Sequence, residues 1–213
     1  MNSKVYNWGI LGAGHISEKF VAGLKTLENA SCYAVAARDL NKAENFATQN
    51  GIQKAYGSYK EMLADDNVDV VYIGTINTLH FDHVMMCLEA GKHVLCEKPL
   101  ALNAEEGRQM VEAAKKSGRL LMEAMVSTLN PNFVEIASRL DEIAPVRHYS
   151  SYFCQYSSKY EALKRGEVAT AFKPGTAGAL RDVGVYTIYP MVALFGKPLS
   201  LRAELQTVIT EEG

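Results

Sequence analysis

The run Gly12-Ala13-Gly14-His15-Ile16-Ser17 holds the first residues whose spacing could do chemistry. It follows an apolar, β-forming segment over 5–11 and leads into apolar residues at helical spacing, Ile16, Phe20 and Leu24. Gly12 permits a tight turn. The missing side chain at Gly14 lets an anion reach the start of the helix, where unpaired N–H groups and the helix dipole favour negative charge. Ser17 replaces the third glycine of the usual fingerprint and is small enough for close helix–strand packing. A ligand-free glycine turn is the bland alternative. The position after the first strand of an alternating chain favours a dinucleotide pyrophosphate, with His15 and Ile16 beside it.

Arg38 stands 24 residues past Gly14, after the second strand-like run. An acid there would hold the adenosine ribose of NAD, whereas a guanidinium suits a 2′-phosphate, so NADP is favoured. Two alternatives leave NAD open: a solvated Arg38 paired with Asp39, or Asp39 taking the ribose role itself. Lys98 lies in Cys96-Glu97-Lys98-Pro99-Leu100 at the expected end of a strand, the side on which open parallel sheets bind ligands. Its bland reading is a surface lysine. His80 and His83 have a metal-compatible spacing without a convergent third ligand, so no metal is expected. His80 reads as near the cofactor, His83 as a solvated helix residue.

The elements that must position these residues alternate. Strands are expected over 5–11, 31–37, 68–73, 93–96 and 120–124, and helices over 15–27, 41–50, 81–90 and 104–116. Ser58 and Glu61 have capping-box spacing, and Asn103 is a good N-cap with Glu105 and Glu106 behind it. Strands alternating with helices imply a doubly wound parallel sheet covered on both faces. Near residue 125 the pattern changes. A helix is expected from Asn130-Pro131 to about 141, another over 180–195, and long strands over 146–156 and 199–210. The organisation is therefore a Rossmann domain over 1–124 and a partial α+β domain over 125–213 with an open, mainly antiparallel sheet.

The chain has 213 residues, 48% of them hydrophobic and 22% charged, enough for a packed core and too ordered a composition for disorder. A net charge of −2 gives no support to nucleic-acid binding. The apolar stretch 183–196 is too short to span a bilayer and contains Pro190, and the start of the chain lacks a signal core. Four dispersed cysteines read as reduced thiols. A cytoplasmic protein is expected.

GILGAGHIS near the start, IGTINTLH after the fourth strand and AGKHVLCEKPLALN together resemble the Gfo/Idh/MocA oxidoreductases. LMEAM (121–125) and GALRDVGVY (178–186) resemble its dihydrodiol and xylose dehydrogenase branch. The resemblance implies that Lys98 lies beside nicotinamide and substrate, with Glu97 before it and a Lys98–Pro99 bond that is commonly cis. It matches Thr75, Asn77 and His80 to a cofactor-side segment in which Ile76 replaces the usual proline. It also matches Asp182 and Tyr186 to the family's acid and tyrosine, on one helix face if the helix starts by Asp182.

The implied activity is hydride transfer between nicotinamide and the carbinol carbon of a sugar, polyol or cyclic diol. Tyr186 would take the hydroxyl proton, Lys98 would stabilise the developing charge and Asp182 would orient. Family members continue beyond the point where this chain stops, so a fragment or truncated product is expected. An open strand edge over 199–210 would favour a homo-oligomer. The competing readings are a non-catalytic dinucleotide-binding module and an inactive fragment.

Overall fold

The computed structural model describes residues 4–168 and 178–204. The chain divides into two units, Met1–Ala124 and Met125–Gly213. In the first, six strands form one parallel sheet in the order β3-β2-β1-β4-β5-β6: β1 Tyr6–Leu11, β2 Ala30–Ala36, β3 Lys54–Tyr56, β4 Val70–Ile73, β5 His93–Glu97 and β6 Leu121–Ala124. The intervening helices are α1 His15–Leu24, α2 Leu40–Asn50, α3 Tyr59–Leu63, α4 His80–Glu89 and α5 Ala104–Ser117.

Side-chain alternation along the strands builds two cores. Ile10, Val35 and Tyr72 pack with Val21 of α1 and Phe46 of α2. Leu11, Ala36 and Ile73 point the other way, onto Met62 of α3, Val84 of α4 and Met110 of α5. Both faces are covered, which is why the buried runs Tyr33–Ala37 and Val71–Ile73 are continuously apolar. Leu11 pairs in register with Ala36 and with Ile73, so β1, β2 and β4 end level with one another.

Several helix ends follow local chemistry. The Asp39 carboxylate accepts from Asn41 N (2.9 Å) at the start of α2, and Asn103 accepts from Glu106 N (2.9 Å) at the start of α5. Gly51 and Gly118 close these helices in the left-handed region. Ser58 makes no cap hydrogen bond, so the capping box expected at α3 is absent. Helix α1 stops at Leu24 instead of 27, where Thr26 Oγ1 donates to Gly23 O (2.8 Å) and draws the backbone into a turn.

The second unit contains a 3₁₀ turn, Val126–Leu129, then α6 Pro131–Ser138 and a second 3₁₀ turn, Leu140–Ile143. Proline at the first position of α6 and Asn130 capping Asn132 N (2.9 Å) match the expected start. The helix ends three residues early, where Ser138 Oγ turns back to Glu135 O (2.8 Å). Then come α7 Tyr160–Lys164, a π-type turn Leu180–Gly184, and α8 Val185–Phe195, which contains Pro190.

The strand expected over 146–156 does not form, nor does strand structure appear over 199–204; residues 205–210 lie outside the described residues. A β-rich segment becomes a strand only against a paired edge, and none is offered among the described residues of this unit. Its aromatic rings pack on helices instead. Tyr149 meets Phe195 at 5.5 Å, Phe153 stacks on Tyr186 at 5.4 Å, and Tyr156 meets Tyr160 at 5.5 Å.

Candidate active site

The strand order reverses between β1 and β4, and a cleft of about 440 Å³ opens beyond their carboxyl ends. Gly12, Gly14, His15, Ile16, Arg38 and Thr75 all line it. Gly12 has φ +104°, and a Cβ there would sit 3.0 Å from Gly74 O and from Thr75 Cγ2, so only glycine fits. Gly14 is different. Its φ of −116° suits any residue, and a Cβ would meet no chain atom within 4 Å. Nothing in the fold demands glycine here; the missing side chain leaves room for a group at the first turn of α1. Gly14 supplies no side-chain cap, so that turn keeps N–H groups for an anion. A dinucleotide pyrophosphate fits this cradle. Ser17 is wholly buried, donates to Gly12 O (2.6 Å), and lies 2.5 Å from where a Cβ on Gly74 would stand.

Beyond the end of β2, Arg38 is joined by Lys42, one helical turn later on α2, and both line the cleft. Lys42 escaped the sequence reading, although its spacing of four from Arg38 at a helix start was visible. Asp39 uses one carboxylate oxygen to cap α2. Tyr59, also unforeseen, lines the cleft with its hydroxyl pKa raised by burial against the opposing charge of Arg38.

His83 is buried, which corrects its reading as a solvated residue. Helix α4 turns positions 80, 83, 84, 87 and 88 inward together. A ring nitrogen of His83 lies 2.9 Å from Thr75 Oγ1, and Tyr59 packs edge-on at 4.9 Å. Burial first, then the neighbouring His80 ring, lowers the His83 pKa and favours its neutral form.

The Lys98–Pro99 bond at the end of β5 is cis. The surrounding backbone is held by side chains from several elements. Glu97 accepts from Lys98 N (3.2 Å) and from the Tyr72 hydroxyl (2.7 Å). His80 Nδ1 donates to Pro99 O (2.8 Å), and Leu100 N donates to Glu123 (2.8 Å). The other His80 nitrogen lies 3.2 Å from Thr75 O. His80 is fully buried and links the ends of β4 and β5 from behind instead of facing the cleft. Asn77 sits in a 3₁₀ turn, Asn77–Leu79, and is not among the cleft-lining residues. Burial raises the Glu123 pKa, with Glu97 pushing the same way and the Leu100 N–H opposing. Cys96 is buried, whereas Met122 is 57% exposed on the edge strand.

In the second unit Asp182 belongs to the π-type turn and Tyr186 to the first turn of α8. Residues 178–179 are already helical and the π-type turn runs directly into α8, so the helix has started before Asp182. Among the described residues no group of three His, Cys, Asp or Glu side chains is arranged to hold a metal, and no helix is long and apolar enough to cross a membrane.

The sheet order, the glycine turn and the cleft at the switch point define a dinucleotide-binding α/β protein. Residues 6–125 match the model of the Gfo/Idh/MocA oxidoreductase family with its NAD-binding Rossmann fold, and the chain belongs to that family. It is 41% identical over 197 residues to scyllo-inositol 2-dehydrogenase (NADP(+)) of Bacillus subtilis, covering 92% of this chain and 60% of the relative. It is 39% identical to trans-1,2-dihydrobenzene-1,2-diol dehydrogenase of Xenopus tropicalis, covering 92% and 59%. A 3-ketoreductase from Actinomadura kijaniata, solved with NADP and TDP-benzene, superposes with a TM-score of 0.77 at 26% identity, covering 91% of this chain and 58% of that one. The chain thus spans about three-fifths of the length of these relatives.

Proposed function

We propose that the protein is an NADP-preferring oxidoreductase that passes a hydride between nicotinamide and the carbinol carbon of a sugar, polyol or cyclic diol. The observation that carries this reading is the pairing of Arg38 with Lys42 in the same cleft as Gly12 and Gly14. Two cations at the adenosine end suit a 2′-phosphate, while the α1 start suits the pyrophosphate. The bound cofactor would accept or return the hydride. Ile16, Ile76 and Leu79 give the cleft apolar walls.

Thr75, Asn77, His80 and Glu97 serve the cofactor side in this reading, His80 through the backbone it holds. Lys98 stabilises negative charge on the substrate oxygen, Tyr186 takes the hydroxyl proton during oxidation and returns it during reduction, and Asp182 orients the pair. A phenol is a weak base at neutral pH unless a cation lies beside it, so Lys98 and Tyr186 are proposed to act as a unit. The named substrates of the two curated relatives, an inositol and a dihydrodiol, are six-membered rings bearing adjacent secondary hydroxyls. That is the substrate class favoured here.

A homo-oligomer is proposed on the exposed apolar side chains of the second unit, among them Leu129, Tyr152 and Leu201, and a cytoplasmic setting on the four free cysteines. The deciding assay is reduction of NADP⁺ and of NAD⁺ with scyllo-inositol, trans-1,2-dihydrobenzene-1,2-diol and a series of aldoses. Turnover with a ring diol and a preference for NADP⁺ is expected. Cofactor binding without turnover on any of them would instead favour a non-catalytic dinucleotide-binding module.

A further inference from the structure

We propose that Glu123, at the end of β6, is a positioning residue for Lys98; the inference rests on reading Lys98 as the group that meets the substrate oxygen. The cis Lys98–Pro99 bond is flanked by two backbone donors, Lys98 N and Leu100 N, since Pro99 has none. Lys98 N bonds to Glu97, its own chain neighbour. That bond alone would let the loop move as one piece. Leu100 N bonds to Glu123 on a different strand at 2.8 Å, which fixes the loop against the sheet.

The register explains the reach. Cys96 pairs with Glu123 and Glu97 with Ala124, so the Glu123 side chain rises level with the start of the loop. Its neighbour Met122 points to solvent, whereas Glu123 is partly buried. A partly buried carboxyl next to Glu97 is unfavourable by both desolvation and like charge. A methionine would cover the same strand end without that cost. What the carboxyl adds is an acceptor for Leu100 N, and it accepts whether ionised or protonated. Together with the His80 bond to Pro99 O, it holds the residues just beyond Lys98 from two elements, α4 and β6.

The test compares Glu123→Gln, which keeps a carbonyl acceptor, with Glu123→Met, which removes it at similar volume. Glu123→Met should raise hydrogen exchange at the Leu100 amide at least tenfold. It should lower kcat about tenfold or more, with KM for NADP⁺ within twofold to threefold, and Glu123→Gln should restore both. Unchanged exchange in Glu123→Met overturns the inference, as does faster exchange with unchanged kcat, or a Gln variant as impaired as the Met variant. Should the unsubstituted chain turn over no substrate, the proposed activity fails separately. The inference is then read from reductive methylation of Lys98, followed by mass spectrometry. Its rate must change at least threefold in Glu123→Met and return in Glu123→Gln, and an unchanged rate overturns it.

Discussion

Arg38 and Lys42, proposed to set cofactor choice, place two charges on one short stretch, one just before α2 and one in its first turn. Each charge-assisted phosphate contact contributes about 1.5–3 kcal/mol, roughly 10- to 150-fold in affinity. Arg38→Ala should therefore weaken NADP⁺ binding by at least tenfold and leave NAD⁺ nearly unchanged, and Lys42→Ala should act in the same direction. Titration calorimetry reads both; equal losses for the two cofactors would remove the 2′-phosphate assignment. At the other end, Lys98→Ala and Tyr186→Phe should each lower turnover at least a hundredfold with little change in cofactor affinity. The double variant should lose far less than the product of the two, because paired groups fail together. Near-normal turnover in either single variant would end the pairing.

A close approach decides how two elements meet beside the cleft. The end of β4 comes against α1 at Gly74, where an added methyl would stand 2.5 Å from Ser17 Oγ and 2.9 Å from Tyr72. Gly74→Ala should push the α1 start away from β4 and reduce NADP⁺ affinity at least fivefold in a fluorescence titration, with a lower melting temperature.

A second junction is built on Asp65, in the loop between α3 and β4. Its carboxylate accepts from Tyr33 of β2 (3.0 Å), from Tyr56 (2.7 Å) and Lys54 (2.8 Å) of β3, and from Asn67 N (2.9 Å). The Lys54 bond, followed by those of Tyr56 and Asn67, holds its pKa far below the ordinary value of 3.8 against the effect of burial. A depressed folded-state pKa means that the unfolded chain binds the proton first. The stabilisation is complete above about pH 5 and is lost as pH falls through 4 and below. Asp65→Ala should cost about 2–3 kcal/mol at pH 7 and about 1 kcal/mol less at pH 3, read from urea melts at the two values. His83, its pKa lowered, works in the same direction a little higher on the scale: its contribution is lost as pH drops below about 6.5.

On the scale of the molecule, the two units are unequally built. Both hydrophobic clusters lie inside the first, and in the second Met125 and Pro190 are the buried members among the described residues. Residues 1–124 expressed alone should melt cooperatively. NADP⁺ at a hundred times its dissociation constant should stabilise them by about 2.7 kcal/mol. A non-cooperative melt, or no shift with NADP⁺, would count against a self-sufficient cofactor unit. The exposed apolar side chains of the second unit should show as concentration-dependent association in sedimentation, and a single monomeric species throughout would exclude the proposed homo-oligomer.

What the amino-acid order determined by itself was local. Continuous apolar runs between caps and glycines marked five of the six strands of the first unit and its longer helices, while the three-residue β3 left no such run. Gly12, Gly14 and Arg38 were legible because their chemistry depends on their place relative to one strand end. What only the tertiary structure decided were relations between distant segments. Lys42 joined the site because α2 turns toward the cleft, and His83 moved inside because α4 lies on the sheet. Glu123 met Leu100 because β6 pairs with β5, a bond across 23 residues that no window of sequence contains. The segment 146–156 reads as strand by composition yet is not one here. Helical hydrogen bonds close within a few residues and leave a periodic trace, whereas a strand exists only through the edge it pairs with.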